Sequence, residues 1–106
     1  MADDVANKAL EAVEVAKNTG KIKKGINEAT KALERGTAKL VVYAKGVQPA
    51  ELVMHFPMLA QEKGIPCIEV ASKEELGTAA GIPVPTSAVA VINEGDAKKV
   101  IEDLKA

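Results

Sequence analysis

Apolar positions along the chain switch between two periods, and the switches mark out its elements. Val5, Ala9, Leu10, Val13 and Ala16 recur at helical spacing, with acids in front and Gly20 behind, which predicts a helix from Asp3 to about Asn18. Lys21-Ile22-Lys23-Lys24-Gly25 alternates briefly, as a short strand or an extended turn does. A second helix is expected over Asn27 to Arg35, with Asn27 as its N-cap and Gly36 just past its end. The unbroken run Leu40-Val41-Val42-Tyr43 reads as the heart of a buried strand spanning Ala38 to Ala44. Pro49 opens a helix to about Lys63 that buries Leu52, Val53, Phe56 and Leu59, with a kink at Pro57. Cys67 to Val70 is the next strand. Ser72-Lys73-Glu74-Glu75 has capping-box spacing and heads a helix that stops at Gly81. Ala88 to Ile92 is a strand, and Asp96 to Leu104 a closing helix with Val100, Ile101 and Leu104 facing inward.

Strands separated by helices require crossovers, and crossovers place helices on both faces of a sheet. The expected fold is a single α/β domain over residues 1–106, a three-layer α/β/α sandwich with a mixed sheet of about four strands. A chain of 106 residues has no room for a second domain.

Composition removes several classes of function. Fourteen basic residues against fifteen acidic ones give a net charge of −1, which excludes a histone-like polycation. Tyr43 and Phe56 are the only aromatics, so the base-stacking platforms of single-strand binders are missing. One cysteine makes no internal disulfide, and no apolar run approaches the roughly 18–20 residues of a membrane span. With an acidic Met1-Ala2-Asp3-Asp4 start, the expectation is a cytoplasmic protein that engages no membrane. The charge is nevertheless uneven. Lys17 to Lys39 carries a net +5 and the remainder −6, so one confined basic patch is available to a phosphate-rich ligand.

Catalytic chemistry finds little support. His55 and Cys67 are each the single residue of their kind, and no metal-ligand or nucleophile–base constellation can be assembled from them. A packed or surface histidine and a buried, inert thiol are the plain readings. No phosphate-binding glycine motif occurs. No cofactor and no metal are expected.

The basic segment says more. At about 100° per residue, Asn27, Glu28, Lys31 and Arg35 share one sector of the second helix while Ala29 and Leu33 lie opposite. Lys31 and Arg35 repel at i, i+4, and Lys23 and Lys24 crowd the positive end of the helix dipole. A docked polyanion relieves both defects. The alternative is a solvated face on which Glu28 and Lys31 merely pair. Asn, Glu and Lys are also suited to base edges: the amide both donates and accepts, the carboxylate accepts from amino and imino groups, and the ammonium donates to guanine O6 or N7. A second segment, Gly81-Ile82-Pro83-Val84-Pro85, sets apolar residues between prolines. It is either tucked under the neighbouring helix or a stiff apolar tip able to cap an unstacked base.

These two segments, with Asn7-Lys8-Ala9-Leu10, Gly20-Lys21-Ile22-Lys23-Lys24-Gly25, Gly64-Ile65-Pro66, Leu76-Gly77-Thr78-Ala79-Ala80-Gly81 and Ser87-Ala88-Val89-Ala90, carry a resemblance that spans nearly the whole chain. The sequence resembles the kink-turn-binding ribosomal protein family, in its archaeal large-subunit L7Ae type. The resemblance implies a sandwich that binds a sharply bent RNA helix containing tandem sheared G·A pairs and a bulge. It implies that Asn27, Glu28 and Lys31 read the guanines, that Gly25 lets the backbone approach, and that Lys24 and Arg35 hold phosphates. Ile82 and Val84 would cap bases of the bulge, with Lys73 near an extruded nucleotide. Gln48 and Pro83 stand where many archaeal relatives carry acidic residues, and Lys45-Gly46 replaces a more acidic pair. The implied partners are ribosomal RNA, box C/D and H/ACA guide RNAs, the RNA of ribonuclease P and other ribonucleoprotein subunits. The protein would be a monomer when free, ribosome- and ribonucleoprotein-associated, and not an enzyme. A protein-interaction module of the same fold, lacking the RNA reader, is the other reading.

Overall fold

The computed structural model describes residues 2–44, 56–70 and 72–105. Along them run α1 (Ala2–Thr19), β1 (Lys21–Lys24), α2 (Ile26–Arg35), β2 (Leu40–Ala44), α3 (Phe56–Lys63), β3 (Cys67–Val70), α4 (Lys73–Ala79) and β4 (Ala88–Asn93). After a 3-10 turn at Gly95–Ala97, α5 (Lys98–Lys105) follows. The strands lie in the order β1-β4-β2-β3. β4 is antiparallel to both its neighbours, and β3 runs parallel to β2, so the sheet is mixed.

Alternation along the two central strands builds the layers, because successive side chains leave a strand on opposite faces. Leu40, Val42 and Ala44 of β2 and Val89 and Val91 of β4 share one face, covered by α1, α4 and α5. Val41, Ala88 and Ala90 take the other face and pack under α2 and α3. The helices meet the sheet mostly through small residues. Ala9, Ala12 and Ala16 do so beside Val13 on α1, and Ala29 and Ala32 beside Leu33 on α2, so both helices sit close. Tyr43 and Phe56 meet edge to face at 6.0 Å in the smaller core, the geometry that aromatic quadrupoles favour. The architecture is the expected α/β/α sandwich, with four strands.

Several expected boundaries move. The second strand begins at Leu40 rather than Ala38, although Ala38 is buried in the α2 side of the core. Val5 is 38% exposed instead of facing inward, and Ala12 takes a place on the buried stripe. The closing helix starts as the 3-10 turn, where the Thr19 hydroxyl, 77 residues away in sequence, accepts the Asp96 N–H at 2.9 Å. Ser72 caps α4 as predicted, its hydroxyl oxygen accepting the Glu75 N–H at 3.1 Å. Pro57 is the second residue of α3. Lys45, Gly46, Gln48, Pro49, Leu52, Val53 and His55, and with them the kink expected in a helix from Pro49, lie outside the described residues.

Candidate nucleic-acid interface

The antiparallel pairing of β1 with β4 sets Lys24 opposite Val89 and so delivers Gly25 to the start of β4. There the Gly25 N–H donates to the Ala88 carbonyl at 2.8 Å, while the Gly25 carbonyl accepts the Ala29 N–H at 3.0 Å and opens α2. To do both, Gly25 adopts φ 105° and ψ 154°, a conformation that L side chains rarely enter. Gly25 therefore occupies the cap position assigned from sequence to Asn27, and no side chain caps the helix. The first-turn N–H groups of Ile26, Asn27 and Glu28 meet no protein acceptor among the described residues, which leaves the positive end of α2 facing outward. Space above Gly25 is empty: a Cβ built there would meet nothing within 4 Å.

The opposite wall comes from the chain between α4 and β4. The Ile82 N–H donates to the Gly77 carbonyl at 3.0 Å and the Thr86 N–H to the Lys73 carbonyl at 3.1 Å, so this loop is bonded along α4. It lies so close that a Cβ at Gly77 would collide with the Val84 carbonyl. Ile82 is half-buried against the larger core, whereas Val84 is 59% exposed at the loop surface. Thr86, the buried polar residue of the described chain, donates its hydroxyl to the Ala88 carbonyl at 3.2 Å.

Together the two walls enclose an open cleft of about 580 Å³. Lys24, Gly25, Ile26, Asn27 and Glu28 line one side, and Pro85, Thr86 and Ser87 the other. Four of the residues singled out from sequence thus converge on it. Lys31 and Arg35 stand exposed farther along α2, and Lys73 stands exposed at the head of α4, joined to the cleft through the bond its carbonyl accepts from Thr86. Among the described residues neither Lys31 nor Glu28 forms an ion pair, so this face is open to solvent without the Glu28–Lys31 pairing. Ile26, Pro85, Thr86 and Ser87 were absent from the sequence-based set. The polar pair Thr86-Ser87 between a proline and an apolar strand was the available signal, but nothing local connects it with Gly25.

The other candidate for chemistry is unreactive. Cys67 is half-buried rather than buried, at the start of the edge strand β3. Burial first, and then the charge of Glu69, push its thiol up to about 12, so it stays protonated across the physiological range. No described helix is long and apolar enough to cross a membrane.

Comparison with solved structures matches the chain to a Giardia lamblia 15.5kD RNA binding protein with a TM-score of 0.87 and 31% identity. The match covers 96% of this chain and 85% of that one. Residues 7–101 match the model of the Ribosomal protein L7Ae/L30e/S12e/Gadd45 family, so both findings point to a ribosomal or RNA-binding type of protein rather than an enzyme. With nearly all of its length inside that match, the chain belongs to the Ribosomal protein L7Ae/L30e/S12e/Gadd45 family.

Proposed function

We propose that this protein binds RNA at the cleft between the head of α2 and the Pro85–Ser87 wall, and that it recognises and stabilises kink-turns there. The observation that carries this reading is the exposed, uncapped start of α2, where free amides, Asn27, Glu28 and Lys24 face the same opening. Amides and an ammonium attract a phosphate. A carboxylate beside them repels one, and is suited instead to the amino and imino hydrogens of a purine edge. One opening that offers both kinds of contact fits a bent duplex whose widened groove exposes sheared G·A pairs. Family membership and the RNA-binding neighbour support the same direction.

In this account Asn27, Glu28 and Lys31 read the guanines, and Gly25 leaves the sugar–phosphate chain room to approach. Lys24 and Arg35 hold phosphates, while Ile82 and Val84 meet the bulge with Lys73 alongside. The free RNA bends rarely and the protein selects the bent form, so its contribution is the stabilisation of a strained shape. The cellular ligands would be ribosomal RNA, box C/D and H/ACA guide RNAs and ribonuclease P RNA, in cytoplasmic ribonucleoprotein particles with other subunits.

A fluorescent RNA hairpin with tandem G·A pairs and a bulge, titrated beside one in which the G·A pairs are Watson–Crick, tests the proposal. Tight binding with bending of the first alone is expected. Equal affinity for both would remove shape recognition, and no binding to either would favour the protein-interaction reading.

A further inference from the structure

Resting on the RNA-binding reading above, we infer that Thr86 is a positioning residue that fixes the apolar tip relative to the guanine-reading end of α2 before RNA arrives. It touches both halves of the interface at once. Its N–H donates to the Lys73 carbonyl at 3.1 Å, tying the loop to the head of α4. Its hydroxyl donates to the Ala88 carbonyl at 3.2 Å, and the same carbonyl receives the Gly25 N–H at 2.8 Å. Ala88 is thus a shared anchor, with the cap of α2 on one side and the loop on the other. Thr86 itself is only 7% exposed, and its hydroxyl is satisfied inside the protein. The threonine therefore acts on a ligand through the elements it joins.

The geometry of the loop makes that joint consequential. Gly77 lets the Val84 backbone lie directly on α4, and Pro83 and Pro85 restrict the chain on either side of Val84. A stiff segment held at its Ile82 end by the Gly77 carbonyl and at its Thr86 end by two bonds has little freedom left. Val84, exposed on this segment, is then carried on a restrained backbone next to Pro85, Thr86 and Ser87, which line the cleft opposite Asn27 and Glu28. Preorganisation of this kind removes an ordering cost from binding. Removing the hydroxyl while keeping the shape should release the loop end and leave the Gly25 bond in place.

Two measurements on the full chain test this, with Thr86→Val removing the hydroxyl and Thr86→Ser retaining it. In the free protein, hydrogen exchange at the Ile82 and Thr86 amides should quicken in Thr86→Val while Val89 to Val91 stay protected; unchanged loop exchange would overturn the latch without reference to any RNA. On the G·A hairpin, Thr86→Val should bind about 3–10-fold more weakly, the worth of one lost intramolecular hydrogen bond, and Thr86→Ser should stay near wild type. In a Val84→Ala background the Thr86→Val loss should largely vanish, because it acts through the tip. A loss that persists in full there, or that serine does not rescue, would make Thr86 merely structural and refute the inference. Wild-type protein that ignores the G·A pairs while loop exchange still responds would instead overturn the RNA reading and keep the latch.

Discussion

The two ends of strand β1 both turn on a glycine, and the glycines are required for opposite reasons. At Gly20 the protein fills the space: a Cβ would run into the Asn93 carbonyl and the Gly95 amide, where α1, β4 and the 3-10 turn meet. That corner is self-contained, with Thr19 and Asn93 side chains accepting the nearby Asp96 and Gly95 N–H groups. At Gly25 the backbone dihedral demands glycine, yet the space beyond is empty and the adjacent helix start is uncapped. One end is finished by the chain itself. The other leaves donors, a carboxylate and a lysine pointing at solvent, and that unfinished end is the one assigned to RNA. At Gly20 the requirement for glycine comes from crowding by the protein itself; at Gly25 it comes from the backbone dihedral, with open space beside an uncapped helix start.

Substitutions should separate the two ends. Removing either reader, Glu28→Ala or Asn27→Ala, should weaken binding to the G·A hairpin by about 1–3 kcal/mol and relax selectivity over the Watson–Crick control, with the melting temperature nearly unchanged. Gly20→Ala should do the reverse. It forces backbone apart and should cost roughly 1–3 kcal/mol of stability, a drop of about 5–20 °C in a thermal melt, while the folded fraction binds RNA normally. If Gly20→Ala selectively abolished binding, the division between a structural and a functional end would be wrong.

A smaller effect sharpens the electrostatic half of the comparison. Lys24→Ala should weaken both hairpins by a similar factor and reduce the slope of log K against log salt by about one, as for a single phosphate contact. An unchanged slope would take Lys24 off the phosphate list. The smallest effect lies away from both ends. Because the Cys67 thiol is held up to about 12, the folded state keeps a proton that the unfolded state releases near its ordinary value. Stability should therefore be indifferent to Cys67 below about pH 9 and decline above it, as chemical denaturation across that range would show.

Much of the frame was legible because local patterns and tertiary demands agreed. Cys67–Val70 is a strand with the expected bounds, and Ser72 is a cap where the capping-box spacing placed it. The exposed face of α2 follows from helical periodicity, with Ala29, Ala32 and Leu33 buried opposite Asn27 and Lys31. What escaped depends on contacts between distant segments. Asn27 is a good capping residue by type, but with Gly25 bonded to Ala88 the helix starts earlier, its cap at Gly25. Thr86 and Ser87 reach the cleft only because β1 pairs with β4 across more than sixty residues, a register that no local pattern encodes. The 3-10 turn before α5 is likewise joined to a hydroxyl supplied from the far end of α1.

Backbone amide shifts recorded as the G·A hairpin is added give the most direct test of where RNA lies. The largest changes are expected at Gly25, Asn27, Glu28 and Ser87, with Gly20 and Gly95 left where they were. Shifts centred on Gly20 and Gly95, with the head of α2 silent, would contradict it.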